Sequence, residues 1–96
     1  MHDPHKERSI FMQNGIVYRD FTRDLGFKLR LIRDFLGYNL DEMAKKFGIS
    51  NGLVKSYESG RENPNLLYIY EVTKACGITI EDLFEEKPDF VKKLYF

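Results

Sequence analysis

Residues 40 to 59 read LDEMAKKFGISNGLVKSYES, and the spacing within this stretch decides the fold. Asn39 precedes it as an N-cap, Asp41 and Glu42 fall in the first turn where a helix dipole favours negative charge, and Gly48 closes the helix Leu40 to Phe47. Ser50 caps a second helix, Asn51 to Ser59, which Gly60 stops. Two helices joined so tightly need a small residue where they touch, a turn residue free of Cβ strain, and apolar side chains wedged between them. Ala44 and Gly48 meet the first two needs, and Met43, Phe47, Ile49, Val54 and Tyr57 supply the wedges. The other positions are polar except Leu40, Gly52 and Leu53.

Upstream, Leu25, Leu29, Ile32 and Leu36 form one stripe from Asp24 onward, with Lys28, Arg30, Arg33 and Asp34 mostly off it, which predicts a first helix ended by Gly37. Further back, SIFMQNGIVYRD (residues 9 to 20) holds two β-prone runs around Asn14-Gly15, a dipeptide that tolerates the positive φ of a tight turn. This predicts a short N-terminal hairpin; the alternative is an irregular arm, because a lone hairpin is marginal unless it packs on something. Downstream, Arg61 to Pro64 is a polar loop, and Pro64-Asn65 begins a fourth helix with Leu66, Ile69, Val72 and Cys76 at helical steps, ended by Gly77. Thr79 caps a short fifth helix that turns Leu83 and Phe84 toward the core, and the tail DFVKKLYF after Pro88 reads as strand or helix. The expected architecture is all-α: an arm over 1–23 with the hairpin, a compact five-helix domain over 24–86, and an apolar tail over 87–96.

Composition narrows the function. Ninety-six residues with 43% hydrophobic and 31% charged side chains suit one globular domain. No apolar run reaches the roughly 18 residues of a membrane span. The first residues, MHDPHKERSIF, lack the layout of a secretory signal, which predicts a cytosolic protein. The lone Cys76 forms neither an internal disulfide nor a four-ligand zinc site and reads as a small core hydrophobe. His2 and His5 sit ahead of any core, so no catalytic triad is in reach; with Asp3 they suit a frayed terminus better than a metal site. The expectation is a protein that is not an enzyme and uses no cofactor. Fifteen Lys and Arg balance fifteen Asp and Glu. Yet residues 24–61 carry seven bases and five acids, and residues 62–96 four bases and seven acids.

The motif extends in both directions. LGFKLRLIR, DEMAKKFGIS, YESGRENPN and GITIEDLF, in that order and spacing, resemble the Cro and lambda-repressor-like helix-turn-helix family over roughly Leu25 to Phe84. The resemblance implies a five-helix domain that binds duplex DNA as a dimer and regulates transcription, most often as a repressor. It implies that the helix Asn51 to Ser59 enters the major groove, with Asn51, Gly52, Lys55 and Ser56 at the base-reading positions. Asn51 suits an adenine edge, Lys55 suits guanine or a phosphate, Ser56 suits either base type, and Gly52 permits close backbone approach. Leu53 either meets a thymine methyl or is a partly covered helix residue. Phosphate contacts are expected from Asn39, Ser59 and Arg61. Lys45 and Lys46 read as a solvated face ahead of a phosphate contact. Arg33 and Glu58 match the family's structural ion pair.

The sequence departs from the family at Leu40, where an amide side chain is common. With Gly52 costing about 1 kcal/mol in a helix and no net charge, affinity per domain is expected to be modest, which favours a homodimer. Two reading helices about 34 Å apart then imply an inverted-repeat operator. Phe11, Val17 and Tyr18 near the N-terminus, and Phe90, Val91, Leu94, Tyr95 and Phe96 in the tail, are the candidate dimer contacts, unless they cover one another within one chain. The rival reading is a protein-interaction module on the same scaffold, an antitoxin or anti-repressor, favoured by the acidic C-terminal part with Glu81, Asp82, Glu85, Glu86 and Asp89.

Overall fold

The computed structural model describes residues 14–96, with side chains from residue 21 onward. These residues form α1 (Asn14–Leu36), α2 (Leu40–Phe47), α3 (Asn51–Ser59), α4 (Leu66–Cys76), a 3-10 turn (Glu81–Phe84) and α5 (Lys87–Tyr95). No strand occurs among the described residues. The hairpin expected over 9–20 lies partly outside them, and from Asn14 the described backbone is helical. The first helix therefore begins well before Asp24. Once a helix exists, each further residue adds a hydrogen bond for little extra ordering, so the pattern read from Asp24 propagates backward.

α1 is the hub against which α3, α4, the 3-10 turn and α5 pack. Its stripe Leu25, Leu29 and Ile32 meets Met43, Ala44, Val54, Tyr57, Tyr68, Val72, Leu83, Phe90 and Leu94 in one core. The crossing with α3 is close. A Cβ on Gly26 would lie 2.6 Å from the carbonyl oxygens of both Tyr57 and Glu58, so no larger residue fits while the helices stay in place.

The expected burial needs correction at Lys28, Leu66, Phe84 and the tail. Lys28 is buried, not off the core: its ammonium donates to the carbonyls of Leu83 (2.7 Å) and Glu85 and pairs with Asp24 at 2.9 Å, above the Phe90 ring. A lysine can be buried this way because its stem is apolar and its three donors find acceptors. Leu66 is 69% exposed, since the buried face of α4 is the i, i+4 pair Tyr68 and Val72 with Thr73. Phe84 is also exposed and stacks on Phe21 at the surface, with centroids 5.8 Å apart. The tail is a helix, and its i, i+4 pair Phe90 and Leu94 is buried in the chain's own core. Those two residues are therefore spent on folding and are not free as dimer contacts.

The fifth helix expected after Thr79 is the single 3-10 turn. The Thr79 hydroxyl accepts from the Asp82 amide (3.3 Å), and the Thr79 amide donates to the Asp82 carboxylate (2.8 Å). Lys93 on α5 donates to the other Asp82 oxygen at 3.0 Å. These bonds, the Thr79 amide foremost, hold the Asp82 carboxyl below its usual range.

Candidate nucleic-acid interface

Local chemistry sets the geometry of α2 and α3. Asn39 and Glu42 form a reciprocal capping box: the Asn39 side chain accepts from the Glu42 amide, and the Asn39 amide donates to the Glu42 carboxylate, both at 2.8 Å. Gly48 leaves α2 in the left-handed conformation (φ 70°), which glycine adopts without strain. The Ser50 hydroxyl caps α3 by accepting from the Leu53 amide at 3.0 Å. Val54 and Tyr57 are buried, so the opposite side of α3 faces outward.

On that outer side Gly52 and Lys55 are exposed and Asn51 and Ser56 half-buried. The four form one continuous edge with differing freedom. The Asn51 amide group donates to the Asp41 carboxylate on α2, which leaves its oxygen and its second N–H for another partner. Gly52 has open space where a side chain would stand. Lys55 makes no ion pair among the described residues and borders a groove with Arg30, Arg33, Leu40, Glu58 and Ser59. The Ser56 carbonyl accepts from the amides of Arg61 (3.0 Å) and Glu62 (3.3 Å) and so shapes the following loop. Leu53 packs partly against the core, the blander of its two readings.

Beneath this edge Arg33 and Glu58 join α1 to α3. Arg33 Nε donates to Oε2 at 2.8 Å and Nη2 to Oε1 at 3.0 Å, a two-pronged bond with both side chains largely buried. Nη1 also donates to the Tyr38 carbonyl at 3.1 Å. The bond to Glu58 raises the Arg33 pKa further, so the guanidinium stays charged. Tyr68, which periodicity did not single out, lies at 5.0 Å from the Tyr57 ring, and its buried hydroxyl has no hydrogen-bond partner among the described residues. Burial first, then the Glu58 charge, pushes its pKa up and keeps it neutral.

The expected phosphate contacts are differently placed. Asn39 is engaged in the capping box through both its amide and its side-chain oxygen, and two exposed carboxylates, Asp41 and Glu42, flank it. Ser59 is exposed and its hydroxyl donates to the Ser56 carbonyl at 3.3 Å. Arg61 is exposed, and its side chain has no ion-pair partner among the described residues; the same holds for Lys45 and Lys46. Of the tail, Val91 is half-buried, Tyr95 packs edge-on against Phe35 at 5.3 Å, and Phe96 is fully exposed. Cys76 is half-buried, and burial pushes its thiol pKa up, away from the reactive thiolate. No helix among the described residues is long and apolar enough to cross a membrane.

Two short helices meeting across a left-handed glycine, the second with one face in the core and one outside, define a helix-turn-helix scaffold. The sequence profile of the helix-turn-helix family matches residues 29–83, more than half of the chain, and the protein belongs to that family. Among its relatives, an HTH-type transcriptional regulator of Methanocaldococcus jannaschii is 31% identical over 62 residues, which cover 65% of this chain and 94% of that protein. Another from Archaeoglobus fulgidus is 33% identical, covering 59% of this chain and 81% of the relative. The transcriptional regulator SinR of Bacillus subtilis is 27% identical, with 66% of this chain aligned to 58% of SinR.

Proposed function

We propose that the protein is a sequence-specific duplex-DNA-binding transcriptional regulator, a repressor acting as a homodimer on an inverted-repeat operator. One observation carries the reading: α3 keeps Val54 and Tyr57 in the core while its outer edge, Asn51, Gly52, Lys55 and Ser56, borders solvent. That edge has the donors and acceptors of major-groove readout, and the family resemblance and the regulators among the relatives support it. Asn51, held by Asp41, offers a preset oxygen and N–H to a base edge; Lys55 and Ser56 follow one turn on. With Phe90 and Leu94 used in the core, the exposed rings of Phe27, Phe35, Tyr95 and Phe96 are the part of the exposed apolar surface assigned here to pairing two copies.

Selection of bound duplexes from a random pool tests the proposal. Enrichment of a two-fold symmetric motif is the expected result, and recovery of an unenriched pool would refute it. Asn51→Ala or Lys55→Ala is expected to lower discrimination between operator and random duplex by about 1 to 3 kcal/mol in a protein that remains folded. Gly52→Ala separates fold from reading. The added methyl meets nothing within 4 Å and should stabilise α3 by about 1 kcal/mol, while operator affinity falls if DNA approaches that backbone. A thermal melt and a binding isotherm on the same sample check both halves.

A protein-interaction role remains the rival. Two of the acidic residues that favour it, Asp82 and Glu85, are engaged internally by Lys93, while Glu81, Glu86 and Asp89 are exposed. A titration of duplex binding against salt separates the readings, because a DNA binder loses affinity steeply as salt rises.

A further inference from the structure

The start of α2, where the family resemblance would seat a phosphate, is poorly suited to one here. The Asn39 amide is bonded to Glu42, and Asp41 and Glu42 are both exposed carboxylates, which repel an anion. Leu40 adds no donor. Cations without partners stand instead along the seam of α1 and α3. Arg30 is exposed, makes no ion pair among the described residues, and lines the groove with Lys55 and Ser59. Arg23 stands two turns earlier on the same face of α1, about 10 Å along the axis. It is likewise exposed and unpaired, and packs against Gly60, where an added Cβ would lie 3.1 Å from it, just before the free Arg61. Neighbouring carboxylates do not neutralise this row: Asp24 is engaged by Lys28 and Lys87, Glu58 by Arg33, and no ion pair joins Asp34 to Arg30.

We infer that Arg23 and Arg30 on α1 are phosphate-anchoring residues for duplex DNA, taking over the positioning that the acidic start of α2 cannot provide. This rests on the proposed DNA reading and adds to it a backbone-binding strip outside the helix-turn-helix. Such anchors fix orientation and carry no sequence information. Each neutralised phosphate contributes about 0.9 to the slope of log affinity against log salt.

The test uses the full chain, the selected operator and a random duplex over a range of salt. Arg23→Gln/Arg30→Gln keeps the aliphatic stems and removes both charges. Lys92→Gln, at an exposed and unpaired lysine on α5, is the control for a charge removed away from the strip. The double variant is expected to lose about 1.8 from the slope on both duplexes with the operator-to-random ratio unchanged, while the control keeps the wild-type slope. A double variant with the control's slope, or one whose operator-to-random ratio collapses, overturns the inference and leaves the DNA reading standing. Wild-type protein that binds neither duplex at low salt overturns the DNA reading and the inference with it.

Discussion

Two buried cations hold α1 to the rest of the molecule, and they do so differently. Toward α3, Arg33 meets the Glu58 carboxylate with two parallel bonds; toward the C-terminal part, Lys28 meets the bare carbonyls of Leu83 and Glu85. The Arg33 fork matches a carboxylate's shape and fixes an angle, whereas an ammonium gathers whatever oxygens surround it. The first tether therefore orients the proposed reading helix. The second gathers chain ends that carry no reading residue.

The contrast can be broken at three points. Glu58→Ala leaves a largely buried guanidinium without its partner and is expected to cost about 3 to 5 kcal/mol in urea denaturation. A loss below 1 kcal/mol would mean that water reaches Arg33 freely. Lys28→Met keeps the buried stem and orphans the Leu83 and Glu85 carbonyls, for about 2 kcal/mol. Its damage should be local: amide exchange should speed up in the 3-10 turn and α5 and leave α2 and α3 protected, whereas uniform acceleration would make both tethers parts of one cooperative unit.

The smallest effect concerns pH. Because Asp82 has a lowered carboxyl pKa in the fold, its contribution is complete above the ordinary value of about 3.9 and fades as pH falls through the lowered one. Asp82→Asn should flatten the loss of stability below about pH 4, and an unchanged acid limb would show that the bonds to Thr79 and Lys93 add nothing.

What the sequence revealed follows the range of the interactions. The frame of Ala44, Gly48, Val54 and Tyr57 was readable because helix periodicity and caps act over a few residues. The Arg33 and Glu58 match was readable only through family resemblance, since 25 residues separate the two. Lys28 was misread because carbonyl acceptors 55 and 57 positions away carry no side-chain signature. Phe90 and Leu94 looked spare for a similar reason: a tail whose helical register is undecided cannot be assigned a buried face. At the candidate site, Gly52 and Lys55 have the open placement their spacing implies. The engagement of Asn39 by Glu42 needed only the capping-box spacing, yet its consequence for an incoming anion emerges once the free cations on α1 are seen beside it.

The backbone contact at Gly26 carries a last consequence. Because α1 meets carbonyl oxygens of α3 with no side chain between, the separation of the two helices is set by main-chain atoms that every substitution elsewhere preserves. Under the proposed DNA reading, substitutions at positions 51, 52, 55 and 56 are expected to retarget the protein while the platform beneath keeps its pitch.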